Sequence, residues 1–269
     1  MLTYLYVPAD RPDRVAKALA GEADVVLVDL EDAVAEDRTA YARGQAAELL
    51  AGVAERPVQV RVNDVRTAAG LADLVMLARL PATVGVRLPK IEDPSTVRAV
   101  AEAVPGRALH LLLESALGVE RAYELATAHP AVASVGLGEA DLRADLGLPA
   151  DVDTGLAYPR SRLVVAARAA GLPAPAQSVY PHLRDLAGLA DSCRDGRNAG
   201  FVGRAAIHPA QLPVIAAAYA PTDAEVAAAR ELIARGSAGA AALPDGRFVD
   251  EAVLRTARRT VALADRRRP

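Results

Sequence analysis

The chain has 269 residues, which is enough for a single α/β barrel with one large core. Its 31 Lys and Arg residues nearly balance 34 Asp and Glu residues, and the net charge of −3 argues against a nucleic-acid partner. The chain has no basic start followed by a long apolar run, and no stretch of 18 apolar residues. We therefore expect a cytoplasmic protein without a membrane-bound segment.

Short runs rich in Val, Leu and Ile alternate with longer helical patterns rich in Ala, Arg and Glu, which is typical of repeated βα units around a parallel sheet. The predicted strands cover, in chain order, residues 3–7, 25–30, 58–62, 84–88, 109–114, 133–138, 175–180 and 203–208. Eight such units within residues 1–220 predict a (β/α)8 TIM barrel, and a doubly wound open sheet is the alternative.

Residues 221–269 lie beyond the eight βα units, and their pattern predicts a C-terminal helical arm. Thr222 and Glu225 have the spacing of a capping box at the start of one helix, and a second helix is predicted over residues 250–264. The segment between these helices consists mainly of small residues and is rich in glycine. This composition indicates an arm that packs on a neighbouring subunit.

Polar residues follow most of the predicted strands, at the end of a parallel barrel where catalytic groups lie. Loops are polar in any protein, but Arg61 and Glu114 lie within or directly after apolar strands, where a charge needs a partner. This placement favours a functional role over a structural one. The complete set is Asp29, Glu31, Asp32, Arg61, Asn63, Lys90, Glu92, Glu114, Glu139, Asp141 and His208.

Glu114 and Asp141 follow successive predicted strands, so both carboxylates can approach one point at the barrel mouth. Such oxygen ligands suit Mg²⁺, which takes one or two protein carboxylates and completes its shell with water and substrate. Taken alone, this pair is explained equally well by surface salt bridges. The adjoining "GLGEADL" adds glycines at 136 and 138 and a helix predicted to start near Glu139, whose free N–H groups would face an anionic ligand.

Motifs along nearly the whole chain match one family. They are "VPADRPDR" at 7–14, "VDLEDAV" at 28–34, "VRVN" at 60–63, "LPK" at 88–90, "LLES" at 112–115, "GEADL" at 138–142, "YPRSRLVVAARAAG" at 158–171 and "IHPAQ" at 207–211. With these motifs the chain resembles the citrate lyase β-subunit-like branch of the HpcH/HpaI aldolase superfamily.

The resemblance implies a (β/α)8 barrel in a homotrimer or homohexamer, with Mg²⁺ held by Glu114 and Asp141 and with Arg61 on the substrate. It also implies that "GRFVD" brings Asp250 into the site of a neighbouring subunit. Glu31 and Asp32 would then lie around the metal as a second layer of contacts. The remaining expected substrate contacts are Arg11, Lys90 and the backbone N–H groups of Gly138, Glu139 and Ala140.

The chain departs from the usual family pattern at four positions. Ser115 stands where Thr is frequent, Arg204 where Lys is frequent, and Gln177 and His182 where acidic residues are expected. Gln177 lies within the predicted seventh strand, and His182 lies in the loop that follows it. This departure bears on which acyl substrate is accepted.

The function implied is that of a Mg²⁺-dependent carbon–carbon lyase. It would cleave a β-hydroxyacyl thioester of the citryl-CoA or malyl-CoA type into a 2-oxoacid, oxaloacetate or glyoxylate, and an acetyl thioester, carried by CoA or by an acyl carrier protein. Arg61 would stabilise the enolate oxygen, and Asp250 would carry the proton for the acetyl carbon.

Three other functions stay open at this point. One is a condensing or thioester-hydrolysing relative that resembles malate synthase, and another is an aldolase acting on free 4-hydroxy-2-oxoacids. The third is a non-catalytic subunit, although the intact set of Arg61, Glu114 and Asp141 argues against a decayed site.

Overall fold

The computed structural model describes residues 1–53, 56–149, 153–236, 241–242 and 248–265. Its contacts divide the chain into two compact units, Met1–Ala218 and Tyr219–Pro269. The first unit has an α/β architecture and the second is mainly helical. Packing of the second unit on a neighbouring subunit stays a prediction, as does a trimeric or hexameric assembly.

A curled sheet of seven parallel strands forms the centre of the first unit, in the order β6-β5-β4-β3-β2-β1-β7. Its strands are rich in Val and Leu, and two of them, β2 and β4, are buried along their whole length because helices cover the sheet. The strands are β1 (Thr3–Pro8), β2 (Val25–Asp29), β3 (Val58–Arg61), β4 (Val84–Leu88), β5 (Leu109–Leu113), β6 (Val132–Leu137) and β7 (Arg204–Ala206).

The prediction of a closed eight-stranded barrel is wrong in one element, the strand expected at 175–180. In the described chain this segment makes a single parallel bridge, Gln177 to Arg204. On the side that faces β6, the contact is made by a side chain instead of the backbone: the Ser178 hydroxyl donates to the Leu137 carbonyl at the end of β6. The Pro175 carbonyl accepts from the Val202 N–H, and the Gln177 N–H donates to the Gly203 carbonyl, so the described backbone pairing of this segment lies on the side of β7. The architecture is consistent with a TIM-like barrel, but its sheet is not closed.

Helices follow the strands as the alternating pattern predicts, and side chains cap several of them. Thr67, Asp93, Ser115 and Asp185 each accept a backbone N–H from the first turn of the following helix. The helices are α1 (Pro12–Leu19), α2 (Thr39–Leu50), α3 (Ala68–Leu77), α4 (Pro94–Ala103), α5 (Ala116–Glu120), α6 (Ala122–Ala126), α7 (Glu139–Asp145), α8 (Ala157–Ala169), α9 (Leu186–Asn198) and α10 (Leu212–Tyr219), with 3-10 turns at Glu36–Arg38, Thr154–Leu156 and Pro209–Gln211.

One face of the sheet carries polar side chains, and we call it the polar face. Arg61 pairs in register with Arg87, Arg87 with His110, and His110 with Ser134, so all four side chains point to the same side. Arg87 donates twice to the Gln59 amide oxygen, at 3.0 and 2.8 Å. These five residues define the polar face.

The second unit contains the predicted pair of helices, α11 (Asp223–Gly236) and α12 (Glu251–Asp265), which pack against each other. The capping box is confirmed: Glu225 accepts from the Thr222 N–H at 2.7 Å, and the Thr222 hydroxyl accepts from the Glu225 N–H at 3.2 Å. Two short antiparallel strands, β8 (Ala241–Ala242) and β9 (Phe248–Val249), lie between the helices in sequence. None of the described helices is both long and apolar enough to cross a membrane.

Candidate active site

Asp29 ends β2, and its buried carboxylate is fully compensated. The Arg61 guanidinium donates to it from Nε at 2.7 Å and from Nη2 at 2.6 Å. The N–H groups of Glu31 and Ala33 donate to it as well, at 3.1 and 3.3 Å. A bidentate cation together with two backbone donors is the environment that a buried carboxylate requires. Asp29 therefore fixes Arg61 and shapes the loop after β2.

Arg61 lies among three carboxylates and one aromatic ring. Besides Asp29, its Nη1 donates to Asp32 at 2.9 Å and lies 3.0 Å from Oε2 of Glu31. The ring centroid of Tyr6 lies 5.1 Å from its Cζ. Burial alone would lower the pKa of Arg61, but the hydrogen bond and charge of Asp29, with smaller effects of Tyr6 and Glu31, raise that pKa above its ordinary value. The group is a permanent cation.

Lys90 donates hydrogen bonds to two different carboxylates, one from its side chain and one from its backbone. Its Nζ donates to Glu31 at 2.6 Å, while its backbone N–H donates to Glu114 at 3.2 Å. The residue adopts a positive φ of 55°, which is uncommon outside glycine and turns the N–H towards Glu114. Burial alone would lower the pKa of Lys90, but Glu31, then Asp32 and Glu114, raise it. The expected proximity of Lys90 to the acidic end of β2 is thus present.

Glu31 is nearly buried between these two cations. Burial raises the pKa of its carboxyl above the ordinary value, although Arg61 and Lys90 oppose that rise. Asp32 is more than half exposed and touches the same two cations, with Lys90 Nζ at 4.0 Å. Both residues therefore lie where the sequence places them, beside Arg61 and Lys90.

We call Asp29, Glu31, Asp32, Arg61, Lys90, Glu114 and Asp141 the polar cluster. Among its acids, Glu114 has the carboxyl pKa that departs most from its ordinary value. It is 5% exposed, and burial, followed by the charges of Glu31 and Asp141, raises its pKa to about 8. Arg61 and Lys90 act in the opposite direction but do not offset these effects. A second cation near Glu114 would stabilise the ionised form.

Gly138 leaves room for the Glu114 side chain. A Cβ atom at Gly138 would lie 2.4 Å from both Cγ and Oε1 of Glu114, so only glycine fits. The expectation that its N–H binds substrate is wrong, because that N–H continues the β6 ladder and donates to the Leu113 carbonyl at 3.1 Å. Gly138 contributes to the site because the absence of a Cβ atom lets the Glu114 side chain occupy this space.

Asp141 lies in the first turn of α7, which begins at Glu139 as predicted. The backbone N–H groups of Glu139 and Ala140 have no partner within the described chain, as expected for the start of a helix. The Glu139 side chain is occupied, since it accepts from Nε and Nη2 of Arg160 at 2.7 Å each. Only its backbone remains for the expected contact with substrate.

Arg160 is a site residue that the sequence does not reveal. It pairs with Glu139, and its Nη1 donates to Asp153 at 3.0 Å. Burial alone would lower its pKa, but Glu139 and Asp153 raise it above the ordinary value. Arg160 belongs to the quoted motif at 158–171, yet it pairs with a residue 21 positions earlier on another helix. No local pattern predicts that pairing.

The donor set fits Mg²⁺. Within the described ranges, no group of three or more His, Cys, Asp or Glu residues is arranged to hold a metal. This leaves Glu114 and Asp141, whose charges interact, as a two-carboxylate pair. Two carboxylates with open positions for water and substrate are the protein contribution that Mg²⁺ commonly uses. The raised pKa of Glu114 and the space left by Gly138 agree with a cation beside this carboxylate.

Three predicted residues lie elsewhere or in other roles. Arg11 stands at the start of α1 with an exposed side chain 3.8 Å from Asp13, and none of its described contacts reaches the polar cluster. His208 orders the last loop as expected, because its Nδ1 accepts from the Ala210 N–H at 3.2 Å. Asp250 caps α12 in the second unit by accepting from the Val253 N–H at 3.0 Å. Its role in a neighbouring subunit's site stays a prediction.

Comparison with known proteins settles the family. The family model described as HpcH/HpaI aldolase/citrate lyase matches residues 2–209, which is most of the chain. The chain belongs to the HpcH/HpaI aldolase/citrate lyase family. This confirms the resemblance on which the residue expectations were based.

Members of the HpcH/HpaI family with known activity include two that cover this chain almost fully. A (3S)-malyl-CoA thioesterase of Cereibacter sphaeroides is 36% identical over 276 residues, covering 97% of this chain and 93% of that protein. The human mitochondrial citramalyl-CoA lyase is 31% identical over 289 residues, covering 97% and 84%. The relatives of this chain therefore include both a carbon–carbon lyase and a thioesterase, and the thioesterase has the higher sequence identity.

A solved HpcH/HpaI structure shares the architecture. The protein CitE of Mycobacterium tuberculosis, in complex with magnesium, acetoacetate and coenzyme A, superposes with a TM-score of 0.86 and 35% identity, covering 98% of each chain. That relative holds a divalent cation, a small oxoacid and CoA together.

Proposed function

We propose that this protein is a Mg²⁺-dependent carbon–carbon lyase. It cleaves a β-hydroxyacyl thioester of the citryl-CoA or malyl-CoA type into a 2-oxoacid, oxaloacetate or glyoxylate, and an acetyl thioester. The observation that carries this proposal is the arrangement of Arg61 beside Glu114, a fixed cation next to carboxylates that a second cation would balance. The family membership and the ligands of the CitE relative support the same reading.

Glu114 and Asp141 are the residues that would hold Mg²⁺. When bound, the ion supplies Lewis-acid polarisation and a template for the 2-oxoacid half of the substrate. The N–H groups of Glu139 and Ala140, at the start of α7, have no partner in the described chain and would bind the carboxylate of that half. Arg160 holds this turn of α7 in place through Glu139.

Arg61 would stabilise the oxygen on which charge develops. A base removes the substrate hydroxyl proton, the carbon–carbon bond breaks, and its electron pair passes to the thioester as an enolate. Of five guanidinium N–H donors, three are engaged with Asp29 and Asp32. Because Nη1 also lies 3.0 Å from Oε2 of Glu31, the donor left for the enolate oxygen would be the second N–H of Nη2. The carboxylates keep the group from reorienting during the reaction. The enolate carbon then takes a proton, for which Asp250 of a neighbouring subunit is our candidate.

A thioester-hydrolysing function is the second candidate, because the malyl-CoA thioesterase is 36% identical to this chain and the citramalyl-CoA lyase 31%. The two functions differ in products. Hydrolysis releases free CoA and a hydroxydicarboxylic acid, whereas cleavage of the carbon–carbon bond leaves an intact acetyl thioester and a 2-oxoacid.

The test is turnover of citryl-, malyl- and citramalyl-CoA with added Mg²⁺, with both products identified and a chelator control. Formation of a 2-oxoacid and acetyl-CoA in equal amounts supports the lyase. Release of free CoA without a 2-oxoacid supports the thioesterase. Cleavage of free 4-hydroxy-2-oxoacids instead would assign the aldolase function. The same panel presented on an acyl carrier protein distinguishes the carriers.

A further inference from the structure

Tyr6 projects from the polar face of the sheet next to Arg61. Along β1, Leu5 and Val7 are buried whereas Tyr4 and Tyr6 are half-buried, which is the alternation of a strand with two different faces. Pro8 pairs in register with Asp29, and Asp29 pairs with Arg61. The two tyrosines, two and four positions before Pro8, therefore share the face of Arg61.

The ring and the hydroxyl of Tyr6 have different surroundings. The ring covers the Arg61 guanidinium, with its centroid 5.1 Å from Cζ. Burial raises the pKa of the phenol; the charges of Arg87 and Arg61 lower it, and those of Asp29 and Glu114 raise it, with a net rise above the ordinary value. The phenol is therefore neutral at physiological pH and can donate a hydrogen bond. The charge of Glu114 is close enough to raise the pKa of the phenol.

The Tyr6 hydroxyl has no hydrogen-bond partner among the residues that the structure describes. Two more exposed tyrosines do have one: Tyr158 donates to Glu120 at 2.8 Å, and Tyr180 donates to Asp185 at 2.7 Å. Solvent reaches the Tyr6 oxygen, since it is not among the described side-chain atoms that are fully buried without a partner, and a substrate oxygen can take the place of that water. The Tyr4 hydroxyl also has no partner among the described residues, so the feature that distinguishes Tyr6 is its contact with Arg61. The Tyr6 oxygen is therefore placed for a group that the protein itself does not supply.

We propose that the Tyr6 hydroxyl is a further catalytic group, which donates a hydrogen bond to the substrate oxygen that becomes negative, beside Arg61. This inference rests on the proposed lyase function. The electron pair of the breaking carbon–carbon bond moves onto the thioester, and the enolate oxygen accepts one hydrogen bond from Arg61 and one from Tyr6. Tyr6 keeps its proton throughout, and the proton that reaches the enolate carbon comes from another group.

The decisive variant is Tyr6→Phe, because it removes one oxygen and keeps the ring over Arg61. A hydrogen bond that is already made to the thioester oxygen, and that strengthens as this oxygen becomes negative, predicts a fall in kcat of about 10- to 100-fold with a smaller rise in KM. The melting temperature should equal or exceed that of the parent, since no hydrogen bond within the described protein is lost.

Tyr4→Phe is the matched control. Tyr4 lies on the same face of the same strand, and the Arg87 and Asp24 charges, rather than those at Glu114, have the largest charge effects on its pKa. This variant should retain parental kcat and KM. If Tyr6→Phe also retains parental kcat, or if both variants lose activity equally, Tyr6 acts only as a cover for Arg61 and the proposal is overturned.

Binding of acetyl-CoA separates this inference from the proposed reaction, because binding needs no turnover. Calorimetric titration with Mg²⁺ present should give weaker acetyl-CoA binding to Tyr6→Phe than to the parent or to Tyr4→Phe. If the parent cleaves no thioester, the lyase proposal fails, and this difference in affinity still supports a hydrogen bond from Tyr6 to the thioester. Equal affinity of all three proteins, together with equal kcat where turnover exists, overturns the role of Tyr6.

Discussion

Two neighbouring parts of the polar cluster differ in whether the chain itself compensates their carboxylates. At the end of β2, Asp29 and Glu31 are matched by Arg61 and Lys90 through direct contacts of 2.6 to 3.0 Å. At the end of β5, Glu114 meets the charge of Asp141, and its described direct donor is a single backbone N–H at 3.2 Å. The first part is balanced by the chain itself. The second part needs a cation from outside.

This difference indicates a division of labour. A balanced buried cluster gives little net stability, but it fixes the orientation of each group that belongs to it. An unbalanced carboxylate pair lowers stability and gains affinity for a cation in return. The cluster of Asp29, Glu31, Arg61 and Lys90 therefore holds its side chains in fixed positions, and the Glu114 and Asp141 pair is the proposed cation site.

The largest effect is expected from the unbalanced pair. Glu114→Gln or Asp141→Asn should lower Mg²⁺-dependent turnover by more than roughly 100-fold, because each removes a negative charge from the proposed metal ligands. Folding should be preserved, since Glu114→Gln relieves like-charge repulsion. Calorimetry with Mg²⁺ and steady-state kinetics measure the two effects. Asp145→Asn, one helical turn further along α7, is the control and should bind Mg²⁺ normally. Full activity after treatment with a chelator would contradict the metal assignment.

The balanced cluster should respond with a loss of stability. Arg61→Ala leaves Asp29 buried without its cation, and we expect a loss of about 3–5 kcal/mol in the free energy of unfolding, in addition to a loss of activity. Urea denaturation followed by circular dichroism measures it. Arg66→Ala is the control, because Arg66 pairs with Asp64 at an exposed position and should cost less than about 1 kcal/mol. Equal losses in both variants would break the distinction between the two clusters.

The pH dependence of stability should also separate the two parts. The Glu114 pKa of about 8 lies above its unfolded value of 4.5, so the folded state binds this proton more tightly than the unfolded state. Stability of the metal-free protein should therefore be greatest below about pH 4.5 as far as this group is concerned. It should fall by about 1.4 kcal/mol per unit as the pH rises towards 8.

Glu114→Gln is the reference for this measurement. Subtracting its unfolding free energy from that of the parent, at each pH and without Mg²⁺, isolates the contribution of the carboxyl group. Saturating Mg²⁺ should flatten the difference, because a bound cation removes the preference for the protonated form. A difference that does not vary between pH 5 and 8 would show that Glu114 is already balanced.

The smallest effect concerns the backbone of Lys90. Both Lys90→Gly and Lys90→Ala remove the ammonium group from Glu31, but only glycine adopts a φ of 55° without strain. The glycine variant should be more stable than the alanine variant by about 1 kcal/mol, in urea denaturation of the metal-free proteins. A less stable glycine variant would indicate that the loop after β4 relaxes and that the N–H of residue 90 does not hold Glu114.

The sequence predicts much of the architecture because periodicity and strand-end position are local signals. Seven of the eight proposed strands exist, and Asp29, Arg61 and Lys90 meet because parallel strands end on one edge. The apolar character of residues 175–180 predicts a strand, but in the described chain this segment makes a single bridge, from Gln177 to Arg204.

Contacts between distant elements were not predictable in the same way. The pairing of Arg160 with Glu139 depends on how α7 and α8 approach each other, and the use of the Gly138 N–H depends on how far the β6 ladder extends. The position of Tyr6 over Arg61 could have been suspected from the two-residue period of "TYLYVP", which places both tyrosines on one face. That period does not indicate which of the two reaches the reacting groups.

The pairing of β1 with β7 has a consequence for synthesis of the chain. Thr3 pairs with Arg204, so β1 leaves the ribosome about 200 residues before its second neighbour exists. At 5–20 residues per second, this interval lasts roughly 10–40 s. During it, one edge of β1 offers unpaired N–H and C=O groups to other nascent chains. Chaperone dependence during expression should therefore concentrate on this first strand, and a circular permutant that starts after β1 should depend on chaperones less.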